Sequence, residues 1–158
     1  MRSPRFYIYN TRLNYDTMQN ENLTIPNIIK LNLGEFHVDH NDIMHIVAND
    51  HLITTDLLEK DYQAIKSFLE RNQLKPPVVY DATNTTPIER KIRKRFEEML
   101  DELFVSLAVV SDSKIGLAVA NIFFALSKPR VPKRIFSQKL DAIQWSKENY
   151  QYQPAMAS

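Results

Sequence analysis

Apolar residues along this chain change their spacing several times, and each change marks an element. From Ile28 they alternate through Ile29, Leu31 and Leu33, then shift phase after Gly34 to Phe36 and Val38. That is the pattern of one half-buried strand with a bulge or tight bend. Asp39, His40, Asn41 and Asp42 supply turn chemistry. The β-rich run Ile43 to Ala48 should return antiparallel, because a four-residue connection is too short for a parallel crossover. Thr54, Thr55 and Asp56 then cap a helix whose inner face carries Leu58, Tyr62, Ile65 and Leu69, with Asn72 and Pro76 bracketing its end. Val78, Val79 and Tyr80 run into Asp81 as a buried central strand that opens onto a loop, Ala82 to Thr85.

Thr86, Pro87, Ile88 and Glu89 read as a capping box with proline at the first helical position, so a helix is predicted to start there. Its stripe is Ile88, Ile92, Phe96, Leu100 and Leu103. Val105 to Val110 is a second buried strand, and Ser111 to Ser113 cap a helix running to about Leu126, which Pro129 cannot continue. Ile135 and Phe136 mark a last short strand, and Leu140, Ile143 and Trp145 a final helix. Residues 1–27 hold Phe6, Tyr7, Tyr9 and Tyr15 without a sustained period and read as a partly disordered N-terminal extension; residues 151–158 read as a tail. The predicted fold is therefore α/β: an antiparallel hairpin followed by parallel strands with right-handed crossovers and about four helices, in one domain over residues 28–150.

This order matches STAS domains, and the second half of the chain resembles SpoIIAA-like (anti-anti-sigma-factor-like) bacterial domains, a group mostly without assigned roles. The likeness is carried by Asn121, Phe123, Phe124, Leu126, Lys128, Pro129, Pro132, Arg134 and Phe136, then Ala142 and Trp145. The resemblance implies a regulatory, protein-binding module whose signal sits in the loop after the central strand. In STAS regulators that loop typically carries a phosphorylated serine within an Asp-Ser pair followed by glycine. Here it reads Asp81, Ala82, Thr83, Asn84, Thr85, Thr86, with neither serine nor glycine. Thr85 or Thr86 would have to take the phosphate, near the free N–H groups of the following helix. The plainer reading makes Thr86 a cap. Asp112, Ser113 and Gly116 do form an Asp-Ser pair with a nearby glycine, but they open the next helix and are explained as its cap.

Composition narrows the chemistry. The chain has 158 residues, 44% of them hydrophobic, enough for one real core. Lys and Arg number 20 against 19 Asp and Glu, for a net charge of +1, so no overall field favours nucleic acid or an anionic membrane. Arg2, Arg5 and Arg12 among tyrosines are weak ground for nucleic-acid binding, which is not expected. Those arginines precede no apolar stretch, so no secretory signal is read, and a cytoplasmic location is expected. Cysteine is absent and glycine occurs twice, which removes thiolate chemistry, a Walker loop and a dinucleotide fingerprint. Asp81 is the one well-placed strand-end carboxylate and no base or nucleophile is spaced to serve it, so neither an enzyme nor a cofactor is expected.

Three further features carry candidate roles. Arg90, Lys91, Arg93 and Lys94, followed by Arg95, crowd the first half of a helix whose second half holds Glu97, Glu98, Asp101 and Glu102. Arg93 with Glu97 and Lys94 with Glu98 can pair at i,i+4, but base-first order opposes the helix dipole. The cluster is either a docking patch for a protein partner or a solvated face. Ile115 to Leu126 is apolar almost all round yet too short to span a bilayer. It is either core, or it turns Leu117, Phe123 or Phe124 toward a second subunit, making a homodimer compatible with the sequence, or toward a lipid or other hydrophobic ligand. STAS folds are loosely similar to the lipid-binding CRAL-TRIO fold, so carriage of a hydrophobic small molecule is the alternative function. Finally, His37, His40, His45 and His51 lie near Asp39, Asp42 and Asp50. Their spacing matches no metal signature, so no metal is expected and the histidines are read as exposed on a solvated hairpin.

Overall fold

The computed structural model describes residues 27–85, 88–114 and 130–151. Among the described residues six strands form one sheet in sequential order: β1 (Ile29–Lys30), β2 (Gly34–Val38), β3 (Met44–Ala48), β4 (Pro77–Asp81), β5 (Ser106–Val110) and β6 (Lys133–Phe136). β1, β2 and β3 are antiparallel neighbours, while β3, β4, β5 and β6 run parallel. Three helices are described: α1 (Thr55–Asn72) between β3 and β4, α2 (Arg90–Leu103) between β4 and β5, and α3 (Lys139–Gln151) after β6. The predicted helix to Leu126 falls on residues 115–129, outside the described residues, as do residues 1–26 of the N-terminal extension and residues 152–158 of the tail.

Residues 28–38 form two strands rather than one bent strand. The Leu31 N–H donates to the Gly34 carbonyl at 2.8 Å and closes a tight turn. Gly34 sits at φ 155°, and a Cβ there would lie 2.2 Å from the Val47 carbonyl oxygen, so only glycine lets β2 approach β3 at this point. From α1, the buried Asp61 carboxylate accepts the Asn32 and Leu33 N–H groups at 2.9 and 2.8 Å, and the Asn32 side-chain amide at 2.7 Å. A helix side chain thereby supplies the acceptors that the turn lacks.

The alternation of side chains along the strands divides the core into two layers. On the front, Phe36, Met44, Ile46, Val78, Leu107 and Val109 pack against Leu58, Tyr62, Ile65 and Leu69 of α1 and Ile92, Met99, Leu100 and Leu103 of α2. On the back, Ile43, Val79, Ala108 and Val110 meet Ala142 of α3, with Phe136, Ile143 and Trp145 at the margin. Leu140 is 80% exposed; the inward positions of α3 are Ala142 and Ser146.

α1 starts as predicted, its Thr54 hydroxyl accepting the Leu57 N–H at 3.3 Å, and ends at Gln73 in the left-handed conformation. α2 does not begin at the capping box. Its first helical residue is Arg90, and Glu89 at the N-cap makes no side-chain cap bond. Ile88 already packs on the front core, so the chain reaches the core before it coils. Thr86 and Pro87 lie outside the described residues. Among the described residues, no helix is long and apolar enough to cross a membrane.

Candidate functional site

The C-terminal ends of β4 and β5 lie side by side, where open α/β sheets gather ligands and partners. β4 leaves the sheet through a closed turn. Ala82 N–H donates to the Val110 carbonyl at 2.8 Å, Asp81 Oδ1 accepts the Thr83 N–H at 3.1 Å, and Thr85 N–H donates to the Ala82 carbonyl at 3.1 Å. Asp81 thus serves as an acceptor within its own loop. Asn84 is exposed and Thr83 half-buried. The Thr85 hydroxyl is buried beside the Tyr80 phenol without completing a hydrogen bond to it, and burial raises the phenol's pKa above its ordinary value. Beyond β5, Ser111 is buried and its hydroxyl accepts the Ser113 N–H at 3.4 Å, while Asp112 is exposed.

Five residues past Thr85, α2 presents its basic half. Arg90, Lys91 and Lys94 are exposed and Arg93 is half-buried, and no acidic residue stands in the first turn. The expected pairs of Arg93 with Glu97 and Lys94 with Glu98 do not form; among the described residues none of the four cations makes an ion pair. Arg95 behaves differently because it points toward α1. Its guanidinium grips Glu59 through Nε at 2.5 Å and Nη2 at 3.1 Å and lies 5.0 Å from the centre of the Tyr62 ring. Tyr62 OH donates to Glu102 at 2.7 Å, and Lys66 meets the other oxygen of the same carboxylate at 2.7 Å. The hydrogen bond from Arg95 holds Glu59 below the usual carboxylate pKa, and those from Lys66 and then Tyr62 do the same for Glu102. These contacts tie α1 to α2 and involve none of the four preceding cations.

The hairpin histidines require a correction. In the β2–β3 register His37 faces His45, and the two rings stack at 4.8 Å with 8° between their planes. His40 and His51 are exposed, but His45 is buried, because it lies between the front residues Met44 and Ile46 and therefore faces the back. Its Nε2 is 2.9 Å from Asp39 Oδ2. A carboxylate only accepts, so Nε2 carries the hydrogen; Nδ1 is buried without a partner. Asp39 Oδ1 accepts the Asn41 and Ile43 N–H groups at 2.8 and 3.1 Å. Burial pushes the Asp39 pKa up, but the His45 bond and these amides outweigh it and hold the group below its ordinary value. Among the described residues no group of three or more acidic or histidine side chains is arranged to hold a metal ion. The sequence signal for the buried histidine was its place between alternating apolar residues, legible only once the strand register is known.

Among the described residues, one apolar space could be tested as a ligand site, and it is small. One apolar cavity of about 70 Å³ lies between the sheet and the two front helices, lined by residues such as Leu31, Ile53, Leu58, Ile88 and Phe96. That is roughly half of a cavity that takes benzene, ~150 Å³. Leu117, Phe123 and Phe124 lie outside the described residues, and so does Thr86.

A family model described as a domain of unknown function (DUF7793) matches residues 36–150, from β2 through α3. No curated protein and no solved structure gives a significant match.

Proposed function

The chain belongs to the family of this domain of unknown function, and from that premise we propose that it is a non-enzymatic regulatory or protein-interaction module of STAS type. It docks an acidic segment of a protein partner on the basic half of α2 beside the Asp81–Thr85 turn. One observation carries this reading: four cations stand unpaired, among the described residues, at the positive end of the helix dipole. Cations there destabilise the helix locally, and an anionic partner reverses the sign of that interaction. The neighbouring cation Arg95, which does serve the fold, is held by Glu59. The element order supports the STAS reading of the scaffold, and of the two described loop threonines, Thr83 is the one whose modification would not require a buried hydroxyl to emerge.

The test is affinity capture from native lysate with the full chain and with a variant carrying Arg90→Glu, Lys91→Glu, Arg93→Glu and Lys94→Glu. The wild type is expected to retain a defined acidic protein that elutes with salt and is absent from the variant. An identical captured set for both chains overturns the reading.

A further inference from the structure

α2 shows the same charge division along one of its faces as along its sequence. Arg90, Lys94, Glu97 and Asp101 recur at i, i+4, i+7 and i+11, the spacing of one helical face. Ile92, Met99, Leu100 and Leu103 occupy the opposite side and are buried. The stripe therefore runs from two cations to two carboxylates over about 16 Å of helix. Arg90 and Asp101 are equidistant from a point between Arg95 and Phe96, the centre of the stripe, and so are Lys94 and Glu97.

A stripe with that symmetry is complementary to itself when reversed. We propose that α2 is a self-association surface whose occupant is a second copy of this chain, packed antiparallel about a twofold axis. The operation sets Arg90 against Asp101 of the second copy and Lys94 against its Glu97, and each pair occurs twice, as a closed isologous interface requires. Parallel packing would instead oppose like charges.

Shape agrees with charge. The acidic half of α2 borders an open groove of about 500 Å³ lined by Lys94, Glu97, Glu98, Asp101, Glu102 and Arg130. Arg90 and Lys94 are exposed, so their long side chains are available to enter the same groove on the other copy. Glu102 and Glu98 have cationic partners within their own chain, Lys66 and Arg95. Glu97 and Asp101 are half-buried and make no ion pair among the described residues, which leaves Glu97 and the Oδ2 atom of Asp101 for the second copy.

Exposed ion pairs are individually weak and screened by salt, so the association is expected to be weak, reversible and favoured at low ionic strength. Because the second copy would cover Arg90 and Lys94, self-association and partner docking exclude each other. Self-association needs no partner, so it stands or falls separately from the docking reading.

The experiment uses sedimentation velocity on the full chain at low and high salt, with circular dichroism to verify folding. Three variants are compared: Arg90→Glu with Lys94→Glu, Glu97→Lys with Asp101→Lys, and the combination of all four. Each two-site variant alone should remain monomeric where the wild type self-associates. Mixing the two should restore association at least about tenfold above either alone, since an all-acidic stripe then meets an all-basic one. The four-site variant should self-associate again with its polarity reversed, although two of the four docking cations, Arg90 and Lys94, are gone. A wild type that stays monomeric at low salt, or two-site variants that associate as it does, overturns the proposal.

Discussion

The two faces of the sheet are built on different terms. On the front, large side chains fill the space beneath two helices: Phe36 is 1% exposed and meets Phe68 edge to face at 5.2 Å, with Tyr62, Leu69, Met99 and Leu100 around it in one continuous cluster. On the back, Ile43, Val79, Ala108 and Val110 meet α3 at Ala142, and the residues that α3 buries fully there, Ala142 and Ser146, are both small. Small residues let a helix approach a sheet closely, but they remove little apolar area from water. The hydroxyls of Ser106 and Ser146 are buried without hydrogen-bond partners, and the Asp39–His45 pair lies on the same side. Stability is therefore concentrated in front, while the back depends on close fit and on polar contacts.

Removing bulk from the front should have the largest effect. Phe36→Ala deletes a ring from a fully packed site and is expected to cost about 3–5 kcal/mol in urea denaturation. The reverse operation is the one to use behind. Ala108, at 0% exposure, has no space for added atoms, so Ala108→Leu should cost about 1–3 kcal/mol by overpacking. The single tryptophan separates the two cases. Trp145 sits on the back with its ring 5.8 Å from that of Phe136. Native-state Trp fluorescence should shift in Ala108→Leu and stay put in Phe36→Ala, and equal shifts in both would show that the faces are not independent layers.

What could be read from the sequence follows the same division. Leu58, Tyr62, Ile65 and Leu69 announced α1 because large apolar residues repeat with the helical period, and β4 and β5 announced themselves as short apolar runs. α3 lies where Leu140, Ile143 and Trp145 placed it, but which side faces inward was not legible, because its buried residues, Ala142 and Ser146, are too small to give a hydrophobic stripe. Leu31 and Leu33 looked like strand because they reach the core, although they do so from a turn held by Asp61, and nothing local reveals a carboxylate 29 residues away. The start of α2 was misplaced for a related reason: Ile88 was assigned to the helix when it packs on the core ahead of it. At the candidate site, the run Arg90 to Lys94 was visible as charge. That Arg95 belongs instead to Glu59 and Tyr62 is a tertiary fact, set by the packing of α1 on α2.

The smallest expected effect belongs to the polar corner of the back face, and it is read as a pH dependence. Burial, the stacked His45 and then Lys139 at the start of α3 hold the His37 pKa below its ordinary 6.5, against the opposing pull of Asp39 and Glu35. The unfolded chain then binds more protons at this position than the folded one just below pH 6.5. Stability must fall as pH drops through that window and level off above it. His37→Gln removes the group that titrates while keeping a polar side chain opposite His45. Urea midpoints measured from about pH 5 to about pH 8 should therefore fall less steeply toward acid in the variant than in the wild type. Parallel curves would place the sensitivity elsewhere in the fold. The front face makes the complementary control, since Phe36→Ala should lower the whole curve without changing its slope.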